Sequence, residues 1–248
     1  MKLGFLKWIV TASIAGVLAL QANASVVITG TRIIYPADAR EVTVKLNNNG
    51  NAPALVQAWI DDGDASFAAQ QRPMPFTLTP PVFRIDPAKG QMLRVTYTRD
   101  LLPADRESVY WLNVLEIPPK ASQAQDQNML QMAFRSRIKL FFRPAGLKGN
   151  ANDAAAQVTW SLTHAGDSQQ IVLLAKNPTP YYVNVAGASV QIDGKTHAGA
   201  PAMIEPFGQH EFVLKDLHQM PQEPPRVQFQ TINDYGASVP GTFTPANR

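Results

Sequence analysis

No cysteine occurs in the sequence, so no disulfide braces the fold and stability has to come from packed cores. Long apolar runs are scarce as well. The most sustained one, Trp8 to Leu20, is shorter than the roughly 20 residues that span a bilayer, and no stop-transfer pattern follows it. The four histidines, His164, His197, His210 and His218, show no zinc spacing, and Asp61-Asp62-Gly63-Asp64 lacks the glutamate and the length of a calcium loop, so it reads as a turn. Neither a Gly-x-Ser-x-Gly elbow nor a phosphate-binding loop is present. These absences lead to the expectation of no catalytic site, no metal and no cofactor.

Lys2 and Lys7 stand at the start of the apolar stretch and Ala22-Asn23-Ala24 follows it. A charged start, an apolar centre and a small-x-small end make a secretory signal peptide. Residues 1–24 are therefore expected to be removed, with cleavage near Ala24. Of 248 residues, 224 then remain, enough for two domains of about 100 to 120 each. Loss of Lys2 and Lys7 takes the 22 basic side chains to 20, against 19 acidic ones. The basic pI of the whole chain thus says little about nucleic acid, and neither a nucleic-acid partner nor membrane insertion is expected.

What the chain has in quantity is short β-branched and aromatic runs between turn residues, with 20 prolines and 15 glycines spread without a period. No window holds a helical period over ten or more residues, so the class is all-β. Val42, Val44 and Leu46 alternate with Thr43 and Lys45 and run into Asn47-Asn48-Asn49-Gly50, a strand ending in a turn. Further strands are expected at Leu55–Ile60 and Met92–Thr98, and at Val109–Ile117, whose density of apolar side chains reads as burial on both faces. After Phe142-Arg143-Pro144 the composition turns to Gly146, Gly149, Asn150, Asn152 and Asp153. A domain boundary is placed there, giving domains 25–144 and 145–248. Strands of a second sandwich are expected at Val158–Leu162, Gln170–Ala175, Tyr181–Val185, Ser189–Ile192, His210–Leu214 and Arg226–Thr231.

One segment does not fit a simple sandwich. From Leu130 to Phe142 the even positions read Leu130, Met132, Phe134, Ser136, Ile138, Leu140 and Phe142, with Arg135, Arg137 and Lys139 among the residues between them. That is one β-period held well past the usual five or six residues. Either neighbours cap a long core strand, or part of the apolar row stands beyond the core as an edge for β-strand addition.

Four stretches, in order, carry a resemblance: Asp105-Arg106-Glu107-Ser108 leading into Tyr110-Trp111-Leu112-Asn113 and Ile117-Pro118-Pro119; Ile138 to Pro144; Asn177-Pro178-Thr179-Pro180-Tyr181-Tyr182; and Ile232-Asn233-Asp234-Tyr235-Gly236. The chain resembles the periplasmic, PapD-like chaperones of chaperone-usher pilus assembly over essentially all of residues 25–248. The resemblance implies two immunoglobulin-like β-sandwich domains set as an L around a cleft, a periplasmic location, one-to-one complexes with pilus subunits and delivery to an outer-membrane usher. It maps a subunit-carboxylate site onto Arg32 and Lys139, donor residues onto Leu130, Met132 and Phe134, and an interdomain ion network onto Glu107, Arg143 and Asp234. About ten residues, Lys120 to Met129, precede the donor row, which resembles the short-loop subfamily; its long-loop relatives carry a cysteine pair that is absent here. A secreted adhesin or pilus subunit with the same kind of fold is the alternative, although a subunit would be expected to lack a strand.

Overall fold

The computed structural model describes residues 25–66, 72–117, 132–166, 168, 170–217 and 219–245. The expectations for residues 1–24, for the Lys120–Met129 loop and for Leu130 lie outside these residues.

Two β-sandwiches follow one another along the chain. The first contains β1 (Val26–Ile28), β2 (Arg32–Pro36), β3 (Val42–Asn48), β4 (Ala54–Asp61), β5 (Phe76–Thr79), β6 (Val82–Ile85), β7 (Gly90–Tyr97), β8 (Ser108–Ile117) and β9 (Phe134–Arg143). One sheet has the order β1-β3-β7-β5 and the other β2-β9-β8-β4-β6. The inward halves of the period-two patterns meet between the sheets: Leu46, Val56, Leu93, Val95, Leu112 and Leu140 are fully buried, as alternation with one face on the core requires. At the end of β3 the expected turn is tied by Asn48, whose amide donates to Ala52 O and Ile85 O while its Oδ1 accepts from Gly50 N–H.

The opening segment of the chain divides between the sheets. β1 pairs antiparallel with β3, and β2 pairs parallel with β9. Gly30 makes the crossing with φ at 103°, a left-handed backbone that glycine adopts without Cβ strain. Because β2 starts only at Arg32, it covers β9 from Lys139 to Arg143 and no earlier.

The second sandwich holds α1 (Ala151–Gln157), β10 (Thr159–His164), β11 (Ile171–Lys176), β12 (Val183–Ile192), β13 (Lys195–Gly199), β14 (Ala202–Ile204), β15 (Gln209–Val213), β16 (Val227–Ile232) and β17 (Ser238–Phe243). A β10-β11-β15 sheet faces a β13-β12-β16-β17 sheet to which β14 adds on β12. Trp160, Leu173, Val190, Ile204 and Phe212 belong to its core.

Three details differ from the sequence reading. Residues 151–157 form a helix where turns were expected: Asn150 Oδ1 accepts from Asn152 N–H, Asp153 sits in the first turn and four of the seven residues are alanine, and burial of Ala154 in the second core, with Ala151 and Ala155 against it, holds a helix too short to show a period. The expected strands Tyr181–Val185 and Ser189–Ile192 are one strand, β12, interrupted by a bulge between Val185 and Gly187. Apolar burial of β8 is deep on one face, where Leu112 and Val114 enter the core; on the other, Trp111 and Leu115 are half-buried on either side of the buried Asn113.

Tyr35 illustrates how the first core is closed. Fully buried, it packs among Phe76, Tyr97 and Phe142 with ring centroids 5.5 to 6.4 Å away. Its hydroxyl donates to Arg40 O at 3.1 Å and accepts from Tyr97 N–H at 3.1 Å. Tyr35→Phe keeps the ring and strands that N–H, so chemical denaturation is expected to show a loss of about 1–3 kcal/mol. A change within experimental error would show that water replaces the hydroxyl.

Candidate functional site

The site is built around β9. Its even residues leave the core progressively toward the start of the strand: Leu140 is fully buried, Ile138 and Phe134 are half-buried, and Met132, just before the strand, is 46% exposed. β8 pairs with β9 from Glu116↔Phe134 to Ser108↔Phe142. Among the described residues nothing pairs with the other edge of Phe134–Ile138, because β2 reaches back only to Lys139. A run of unpaired main-chain donors and acceptors beside an emerging apolar row is a template for another strand.

On the opposite face stand Arg135, Arg137 and Lys139. Arg137 pairs with Asp61, and its guanidinium lies 4.8 Å over the Trp111 ring. Asn113 Nδ2 (2.6 Å) and Gly63 N–H (2.8 Å) also donate to Asp61. Burial alone would raise that carboxyl's pKa, but the Arg137, Gly63 and Asn113 hydrogen bonds outweigh it and hold the group below the usual range. The Asp61-Asp62-Gly63 segment is thus a turn that clamps the outer face of β9, helped by Arg135, which donates to Ala65 O at 2.8 Å.

At the point where β2 begins, Arg32 and Lys139 are register partners across the parallel pair. Each reaches the second domain: Arg32 Nη1 donates to Ile232 O at 3.0 Å, and Lys139 Nζ donates to Asn184 Oδ1 at 2.5 Å. Neither makes a salt bridge among the described residues, and Arg32 Nε is buried without a hydrogen-bond partner. Burial lowers the pKa of Lys139, and the charge of Arg32 adds to that; burial also lowers Arg32, against the pull of Asp234. Two adjoining, half-buried cations with unused donors can chemically accept a carboxylate.

Glu107, Arg143 and Asp234 come together across the domain boundary. Arg143 donates from Nε to Glu107 (2.6 Å) and from Nη1 and Nη2 to the two oxygens of Asp234 (2.8 and 3.0 Å). The other Glu107 oxygen accepts from Tyr182 N–H at 2.8 Å, and Glu107 N–H donates to Pro180 O at 2.9 Å. Burial would lower the Arg143 pKa, but the two carboxylates outweigh it and hold the guanidinium above its usual value. Burial pushes the nearly inaccessible Glu107 carboxyl up, with Arg143 and Tyr182 N–H offsetting part of this. Asn184 and the Ile232 carbonyl escaped the sequence reading. Asn184 had one signal, a polar residue inside the apolar run Tyr181–Val185; a backbone carbonyl has none.

Known proteins match along this whole arrangement. The family model described as "Pili and flagellar-assembly chaperone, PapD N-terminal domain" matches residues 25–148, and that of "Pili assembly chaperone PapD, C-terminal domain" matches residues 153–243. The chain is 46% identical to chaperone protein FimB/FhaD of Bordetella pertussis over 233 residues, 92% of this chain and 91% of that one. It is 43% identical to the probable fimbrial chaperone YadV of Escherichia coli over 221 residues, 88% and 89% of the two chains. The crystal structure of the YadV chaperone superposes with a TM-score of 0.76, covering 89% of this chain and 99% of that one. SafB, solved in complex with the Salmonella enterica SafA pilin, superposes with a TM-score of 0.72 at 28% identity, covering 90% and 97%.

The contacts of Arg143 generate a measurable coupling. Arg143→Ala leaves Glu107 buried without its cation and is expected to cost about 3–5 kcal/mol. Because Asp234→Ala removes part of the same interaction, the double variant should cost clearly less than the sum of the singles, by about 0.5–3 kcal/mol. Additive unfolding energies in such a cycle would contradict a shared network.

Proposed function

The chain belongs to the family of PapD-like pilus-assembly chaperones, and we propose that it holds a pilus subunit by lending β9 to the subunit's incomplete core. The family is one of chaperones and not of enzymes, and its curated relatives are fimbrial chaperones, which favours this role over that of an adhesin or structural subunit.

The observation that carries the reading is the half-paired β9 with Arg32 and Lys139 at the inner end of its free edge. A subunit's terminal carboxylate placed between the two cations ends its strand where β2 starts. The strand behind it then lies along Phe134–Ile138, parallel to β9 and in line with β2. Strand addition of this kind is an established mode of recognition, and chaperone–pilin complementation is itself one of its standard instances. Leu130, Met132 and Phe134 then enter the subunit's core, each contributing roughly 1.5–3 kcal/mol if fully buried. The charged anchor fixes the register, since a slip by one residue would turn the subunit's apolar side chains to the wrong face.

In this proposal Glu107, Arg143 and Asp234 set the angle between domains 25–144 and 145–248, so that second-domain acceptors hold Arg32 and Lys139 ready. The chain works in the periplasm after cleavage near Ala24, forms a one-to-one complex and hands the subunit to an outer-membrane usher. It uses no cofactor or metal.

Two results test this. Arg32→Ala or Lys139→Ala, co-expressed with the subunit that co-purifies with the wild type, should abolish the complex while leaving the free fold intact; normal yields from both would refute the anchor. Along one apolar row, Met132→Ser should change free stability by under about 0.5 kcal/mol and still reduce complex formation, whereas Leu140→Ala should cost about 2–5 kcal/mol. A core-sized loss at Met132 would exclude it as a donor.

A further inference from the structure

Beside the cation pair lies a cavity of about 210 Å³ between α1 and the β16–β17 hairpin. Two of its lining residues are the ones that hold the cations: Asn184, whose Oδ1 accepts from Lys139, and Ile232, whose carbonyl accepts from Arg32. The remaining wall includes Tyr182, Val239, Ala156 and Thr242. Val239 is 42% exposed, and Ala156 and Thr242 are exposed at the rim, so the cavity is open to an incoming chain rather than sealed inside the second sandwich.

We infer that this cavity receives the side chain of the subunit's C-terminal residue and selects a large one, up to an aromatic ring. The inference rests on the carboxylate anchor proposed above. A carboxylate between Arg32 and Lys139 places the Cα that bears it within one side chain's reach of Asn184, since the cation's own acceptor is the cavity wall. The volume fits, because a cavity of about 150 Å³ already admits benzene. The chemistry of the wall fits as well: Val239 and the Tyr182 ring offer apolar surface, while Thr242 and the Asn184 amide satisfy a polar tip. Glycine or alanine at the subunit terminus would leave the space unfilled. The anchor thus recognises any chain end, and the cavity distinguishes one chain end from another.

The probe is a synthetic peptide of about ten residues, alternating apolar and polar so as to add one strand, with a free carboxylate, an N-terminal fluorophore, and Gly, Ala, Leu, Phe or Tyr as its last residue. Fluorescence anisotropy on wild type is expected to give tighter binding for Leu, Phe and Tyr than for Gly, by roughly tenfold to a hundredfold. Ala156→Phe and Thr242→Trp, two exposed rim positions where a larger side chain leaves the core untouched, should each flatten that preference while binding still depends on Arg32. Equal affinities across the wild-type series, or an undiminished preference in both filled variants, would overturn the cavity assignment and leave the anchor standing. If no peptide binds wild type, or if Arg32→Ala binds them all unchanged, the anchor reading fails and the cavity inference with it.

Discussion

The parallel pairing of β2 with β9, starting at Arg32↔Lys139, is the constraint from which the other features follow. Had the opening segment lain beside β9 from Val26 onward, β9 would have had a partner along much more of its length. Instead the chain changes sheets at Gly30, and five residues of β9 keep one edge free. The same change of sheet places a cation from β2 directly beside a cation from β9. An unsatisfied main-chain edge and an unsatisfied pair of charges therefore arise at one place, from one topological step.

Holding two cations together in a partly dry cleft is unfavourable, and the second domain moderates it. It offers neutral acceptors, the Ile232 carbonyl and the Asn184 amide, which accept hydrogen bonds without cancelling charge. A carboxylate there would satisfy the domain itself and leave nothing for a partner. Carboxylates are used nearby for the opposite purpose: Glu107 and Asp234 fully engage Arg143. One cluster pairs its cation with two carboxylates and joins the domains, the other holds its two cations on neutral acceptors, and both bridge the same boundary. The two clusters meet on Ile232-Asn233-Asp234, where residues two apart serve Arg32 and Arg143.

Much of this was legible in the sequence because it is periodic. The alternation in β3 and in the Ile138–Phe142 part of β9 marked the core-facing side chains correctly, and the all-β class followed from run lengths. What stayed hidden depends on contacts between distant segments. β13, β14 and β17 are short, polar or glycine- and proline-bearing, and they pair because neighbours hold them, not because their own pattern demands it. The bulge in β12 broke one strand into two apparent ones, and the seven-residue α1 is shorter than any period that could announce it. At the site, the residue types of Arg32 and Lys139 were readable through the family resemblance, but their neutral acceptors and the cavity behind them come only from the packing of one domain on the other.

The free edge of β9 is tested most directly by hydrogen exchange resolved to single amides, on the free chaperone and on its complex with a co-purified subunit. Amides of Phe134–Ile138 that do not bond to β8 should exchange quickly in the free protein and become strongly protected in the complex, while amides of Lys139–Arg143 are protected in both. Equal exchange of the Phe134–Ile138 amides with and without subunit, in a complex that demonstrably forms, would contradict strand addition at β9.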